Sequence, residues 1–160
     1  MCLVLKNCML DIQLKDDNDI EKSKIQQFIW DVSSNIGALL IHIPLVVHFP
    51  LKYEEVECCI DSMERERVEN NISAKRMKEL LVGRKNTTSG FSGIGLYEGA
   101  NCSLHIWPEK NYMSFDISNT IQFNNNDVLD IVYKHFNVDK ISGLSISRYR
   151  KSPQIVEIIK

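Results

Sequence analysis

Along residues 3–14 apolar and polar positions alternate loosely, the period-two pattern of a strand with one buried face. Asp16–Asp17–Asn18–Asp19 follows, a run suited to a turn and to capping a helix N-terminus. From Ile20 to Ile36 the interval changes. Ile25, Phe28, Ile29, Val32 and Ile36 recur at helical spacing, and Gly37 supplies a stop. Ala38–Phe49 is strongly β-prone, interrupted by Pro44 and ended by Pro50, and predicts a second strand.

Charge dominates from Tyr53 to Val82. Acidic residues (Glu54, Glu55, Glu57, Asp61, Glu64, Glu66, Glu69) come first, and basic ones (Lys75, Arg76, Lys78, Arg84, Lys85) later. The pattern predicts one or two solvated helices with a break near Asn70–Asn71, then a polar linker over 83–90. Phe91–Tyr97, Asn101–Ile106 and Tyr112–Ser118 read as three successive strands, with turns at Gly99–Ala100 and Pro108–Asn111. Asn124–Asp127 caps a helix running through Phe136, Lys140–Tyr149 is a final strand, and a short tail follows. The order βαβ–helical insert–βββ–αβ belongs to the α+β class, an antiparallel sheet with helices on one face.

Length and composition narrow the function. One domain spanning 1–160 suffices for the chain, and 44% hydrophobic with 25% charged residues is the balance of a globular protein in water. A net charge of −2 gives no electrostatic footprint for nucleic acid or an anionic membrane. No apolar run approaches the roughly 18 residues of a membrane span, and the N-terminal stretch lacks signal-peptide features. Cys2, Cys8, Cys58, Cys59 and Cys102 form an odd set without C-x-x-C spacing, which predicts reduced thiols, a cytoplasmic location and no zinc site. His42, His48 and His135 show no metal-ligand spacing and read as structural.

One stretch carries chemistry: Ser92–Gly93, then Leu104–His105–Ile106–Trp107–Pro108–Glu109, then Tyr112 and Asp116 on the next strand, with His48–Phe49–Pro50 upstream. It resembles the H-x-W-P-E-x-x-x-Y core of the small bacterial and archaeal S-adenosylmethionine (SAM) decarboxylases. The resemblance covers about 7–50 and 90–148, and it makes the charged segment at about 51–89 an insertion within a single SAM-decarboxylase-like domain. It implies that Glu109 bonds the ribose hydroxyls, that Phe49 stacks on adenine, that Trp107 lines the same pocket and that His105 assists self-processing. It also implies a homo-oligomer, since the family pairs sheets across a two-fold axis. Taken as bare sequence, each residue keeps a plainer reading: His105 as a core histidine, Trp107 and Tyr112 as sheet aromatics, Glu109 as a solvated turn carboxylate.

The chain departs from the family where the cofactor is made. Family members convert the serine of a Glu-Ser pair into a pyruvoyl group; here that position is Ala100, or Gly99 with a one-residue shift. Neither residue has a hydroxyl to attack a carbonyl. The position of the family's catalytic cysteine holds Thr120. No pyruvoyl cofactor is expected, and without an electron sink α-decarboxylation is disfavoured. Three functions follow. The chain is a SAM-binding or regulatory protein, alone or paired with an active paralogue. Alternatively it is a cofactor-independent lyase that releases methylthioadenosine and homoserine lactone from SAM or a SAM–AMP conjugate. Glu98, Tyr97 and His105 are then the candidate catalytic groups, with Lys75, Arg76 and Arg84 for an extra phosphate. In the third, it is a pyruvoyl enzyme with an atypical processing residue such as Cys102 or Ser103.

Overall fold

In the computed structural model, which describes residues 3–50, 89–150 and 152–160, the alternation over 3–14 is realised as strand β1 (Leu3–Leu14). Helix α1 (Lys22–Asn35) follows, then β2 (Leu45–Phe49), β3 (Gly90–Tyr97), β4 (Ala100–Trp107), a 3-10 turn (Pro108–Lys110), β5 (Tyr112–Asn119), α2 (Asn125–His135), β6 (Val138–Tyr149) and β7 (Ser152–Ile159). The strands form one antiparallel sheet in the order β2-β3-β4-β5-β1-β6-β7. The expected charged insertion at about 51–89, with Lys75, Arg76 and Arg84, lies outside the described residues except for Ser89.

Both helices pack on one face of the sheet, as the α+β reading requires. That face carries Cys8, Leu10, Ile12 and Leu14 of β1, Leu104 and Ile106 of β4, and Met113, Phe115 and Ile117 of β5, all buried. Phe28 of α1 seats edge-on against Phe115 and Phe136, with ring centroids 5.1 and 5.2 Å apart. The helix comes down on β3 because Gly93 and Gly95 lack side chains there. A Cβ at Gly95 would stand 2.5 Å from Ile29 Cγ2.

Four boundaries differ from the sequence reading. The tail is a seventh strand, β7, paired along β6. Pairing in the second strand is confined to Leu45–Phe49 plus an isolated bridge from Leu40 to Tyr97, since Pro44 has no N–H to give a ladder. Helix α1 starts at Lys22 behind Glu21, without a side-chain cap. The Asp16–Asn18 run bonds elsewhere: Asp16 accepts from Asn111, Asp17 from Asn137, and Asn18 exchanges bonds with the Asn137 backbone. The β3–β4 turn is Glu98–Gly99, with Gly99 at φ 71°, so Ala100 is already in the ladder opposite Tyr97. The Asn124 side chain caps α2 as the sequence requires, accepting from the Asn126 N–H.

Candidate functional site

Among the described residues nothing covers the face of the sheet opposite the helices, and the candidate residues gather at one end of it. Trp107 closes β4 and pairs with Tyr112 across the 3-10 turn; their rings lie 5.7 Å apart. Phe49, at the end of β2, meets Trp107 edge-on at 6.1 Å. It reaches across because Gly90 is beneath it: a Cβ there would lie 2.6 Å from the Phe49 ring and 2.1 Å from the Ile106 carbonyl oxygen. Glu109 sits in the exposed turn and accepts a 2.9 Å bond from the Ser89 hydroxyl. His105, two residues before Trp107 on the same face, packs its ring 5.8 Å from the indole.

His105 has a partner that sequence reasoning missed. Its Nδ1 is 2.8 Å from the Ser92 hydroxyl on the neighbouring strand. The signal lay in the hairpin. A two-residue turn at Glu98–Gly99 sets Ser92 opposite His105, whereas a turn at Gly99–Ala100 sets Ile94 there. Of two nearby carboxylates, the sequence reading named Asp116 in its motif without a role and did not name Asp11. Asp11 on β1 accepts a hydrogen bond from the Tyr112 hydroxyl, which this pushes up to about 12. Asp116 on β5 is raised from the ordinary carboxylate range, first by burial and then by the Asp11 charge, against the opposing pull of His105. The Y-x-x-x-D spacing held that signal, since residues four apart on a strand share a face.

Phe49, Trp107, Glu109 and His105 therefore stand together. Glu98 and Tyr97 do not join them. They are at the other end of β3 and β4, seven residues from Trp107, or about 23 Å at strand rise. Glu98 is exposed in the turn. Tyr97 points to the helix-covered side and is buried; its hydroxyl donates to the Ile29 carbonyl at 3.2 Å and lies 2.8 Å from Cys102 Sγ. Burial raises the phenol well above its ordinary range and pushes the Cys102 thiol up to about 11.

At that far end, the two positions that depart from the family stand side by side. Ala100 pairs with Asn119, and the Thr120 N–H donates to the Gly99 carbonyl at 3.2 Å. The corner thus holds a methyl group and a threonine. Among the described residues no three metal-ligating side chains cluster, and no helix is long and apolar enough to cross a membrane.

A sheet with helices on one face, aromatic residues and a histidine on the other, and a W-P-E turn between two strands defines a particular class of α+β protein. The model of the S-adenosylmethionine decarboxylase family matches residues 59–149, more than half of the chain, and the chain belongs to that family. The crystal structure of the adenosylmethionine decarboxylase from Aquifex aeolicus VF5 has the same fold, at a TM-score of 0.58 and 12% identity over 96% of this chain and 100% of that one. No curated protein matches the sequence.

Proposed function

We propose that the chain binds SAM or a SAM-derived nucleotide on the open face of its sheet and does not process itself to a pyruvoyl enzyme. One observation carries this reading. The residues that the resemblance assigns to the nucleoside converge in space, while Ala100, which it sets at the processing position, bears no hydroxyl. Phe49 and Trp107 offer aromatic faces to adenine and to the cationic sulfonium. Glu109 offers a carboxylate acceptor to ribose hydroxyls. His105, held by Ser92, is a proton carrier beside the indole.

A second reading draws on the same observation. With Gly99 and Ala100 at the processing position, the reactivity left to SAM is its own sulfonium leaving group. Attack by the substrate carboxylate on the γ-carbon breaks the C–S bond and gives methylthioadenosine and homoserine lactone. The protein then supplies a folded substrate shape and fixed charges. An adenylated substrate would call on Lys75, Arg76 and Arg84. Glu98 and Tyr97 serve this reaction less well than His105, being remote from the aromatic pocket.

Calorimetric titration with SAM and with methylthioadenosine tests the binding. Both ligands should bind, and Trp107→Ala should weaken each by roughly tenfold or more. Absence of heat with either ligand removes the reading. Intact-mass measurement should give one chain of 18.5 kDa; two fragments split between Glu98 and Ser103 would restore a pyruvoyl enzyme. Chromatography after incubation with SAM decides between binding and lysis, since methylthioadenosine appears only in the second case.

A further inference from the structure

Beside the aromatic pocket, the open face carries a shallow cavity of about 180 Å³ lined by Asp11, Gln13, Tyr112, Lys140 and Ser142. Tyr112 belongs to both, one ring face toward Trp107 and its hydroxyl on Asp11. The ladder registers place the residues in two adjacent rows. Trp107, Tyr112, Gln13 and Lys140 follow one another across β4, β5, β1 and β6. His105, Ser114, Asp11 and Ser142 form the next row across the same strands.

The charges in this cavity are opposite and do not neutralise each other. Asp11 and Lys140 line one space, yet among the described residues the Lys140 ammonium forms no ion pair; the pairs that do form join Asp31 to Lys134 and His135. Asp116, one row beyond Asp11 and outside the cavity lining, is a second carboxylate that feels the Asp11 charge. Asp11 on β1 thus stands one strand nearer the aromatic pocket than Lys140 on β6. That order matches a ligand with a cationic centre near the nucleoside and an anionic group beyond it.

We propose that this cavity is a subsite for the amino-acid end of the ligand. Asp11 faces its sulfonium or ammonium, and Lys140 with Ser142 holds its carboxylate. Three strand steps from Trp107 to Lys140 give about 14 Å, enough for an extended aliphatic tail to follow a stacked adenine. The subsite names the second half of the ligand proposed above, and it rests on that reading only for the link between the two halves.

The two halves are separable by experiment. S-Methylmethionine carries a sulfonium, an ammonium and a carboxylate but no nucleoside; methylthioadenosine carries the nucleoside but no charged tail. The amide spectrum of the isotope-labelled full chain is titrated with each. S-Methylmethionine should shift Asp11, Gln13, Lys140 and Ser142, and Lys140→Met should weaken that response roughly tenfold or more. Methylthioadenosine should shift Trp107 and bind Lys140→Met as it binds the wild type. Lys140 is exposed, so its substitution leaves the fold intact, and the unperturbed remainder of the spectrum checks this. No shift with S-methylmethionine, or an equal response in Lys140→Met, overturns the subsite even when methylthioadenosine binds. A response to S-methylmethionine alone keeps the subsite and removes the nucleoside pocket.

Discussion

Gly90 and Asp11 each determine the state of an aromatic ring at the site. Any side chain at Gly90 would press on the Ile106 carbonyl, a backbone atom that cannot swing away, and on the Phe49 ring. Gly90→Ala should therefore cost about 1–3 kcal/mol in urea unfolding and displace Phe49 from Trp107, weakening methylthioadenosine binding. An unchanged unfolding midpoint would show that β3 can shift to admit a methyl group. At Asp11 the effect is electrostatic. Its carboxylate accepts the Tyr112 proton, and that bond first, with partial burial, pushes the phenol up to about 12. Asp11→Asn removes the charge that favours the neutral phenol, so Tyr112 should titrate nearer its ordinary value of about 10. Carbon-13 spectra of labelled tyrosine read this directly; no movement on substitution would mean that burial, not Asp11, sets the value.

Between elements, the two helices are tied at one point. Asp31 of α1 accepts from Lys134 Nζ at 2.7 Å and His135 Nε2 at 2.9 Å, both on α2, and from Gln27 on its own helix at 2.8 Å. The Asp31 and His135 side chains retain only 16% and 10% of their exposure, while Lys134 keeps 62%, so water screens the Lys134 bond more than the His135 one. The Lys134 bond, then the His135 bond, hold the Asp31 carboxyl down at about 2 against 3.8. A depressed carboxylate stabilises the fold above its unfolded value and ceases to do so as pH falls through the folded one. Wild type should exceed Asp31→Asn by roughly 1–3 kcal/mol near neutral pH, and the gap should close between about pH 4 and pH 2. A gap that persists to pH 2 would trace the loss to packing around Asn rather than to charge. The helices themselves were legible in the sequence, because Ile25, Phe28, Ile29 and Val32 announce a buried stripe. The tie was not, since Asp31 and His135 are 104 residues apart and no local pattern joins them. Strands β3, β4 and β5 were legible to within a residue or two, while of the expected Ala38–Phe49 strand only Leu45–Phe49 forms one. The Ser92–His105 pair was lost to a one-residue misplacement of a turn. The seventh strand was lost because its apolar run, Ile155 to Ile159, lacks the alternation that marks a half-buried strand.

At the scale of the whole molecule, the open face carries exposed apolar residues at both flanks. One row across the sheet runs Ile94, Ser103, Asp116, Met9, Leu144, Ile158; the next runs Leu96, Asn101, Ser118, Asn7, Ile146, Val156. Each begins and ends apolar around a polar middle. Ile94, Leu96, Val156 and Ile158 are exposed, the last at 72%. Leu45 and Val47 extend the apolar flank at the β2 edge. A second copy of the chain, turned about a two-fold axis in the plane between two stacked sheets, brings apolar flank onto apolar flank whether the axis runs along the strands or across them. An axis across the strands does more. It sets the Phe49–Trp107–Glu109 end of one copy over the Ala100–Thr120 end of the other, joining ends that stand about 23 Å apart within a chain. The homo-oligomer that the resemblance implies would enclose the polar positions that lie between these flanks. Analytical ultracentrifugation should find twice the 18.5 kDa mass at tens of micromolar, and the paired substitution Ile94→Glu, Leu96→Glu should give a folded monomer. The exposed positions spare the core, so helical circular dichroism should not change. If the substituted chain still sediments with the wild type, the open face is not the contact. If the wild type is itself a monomer until an active paralogue is added, the same flanks serve a mixed pair instead of a second copy.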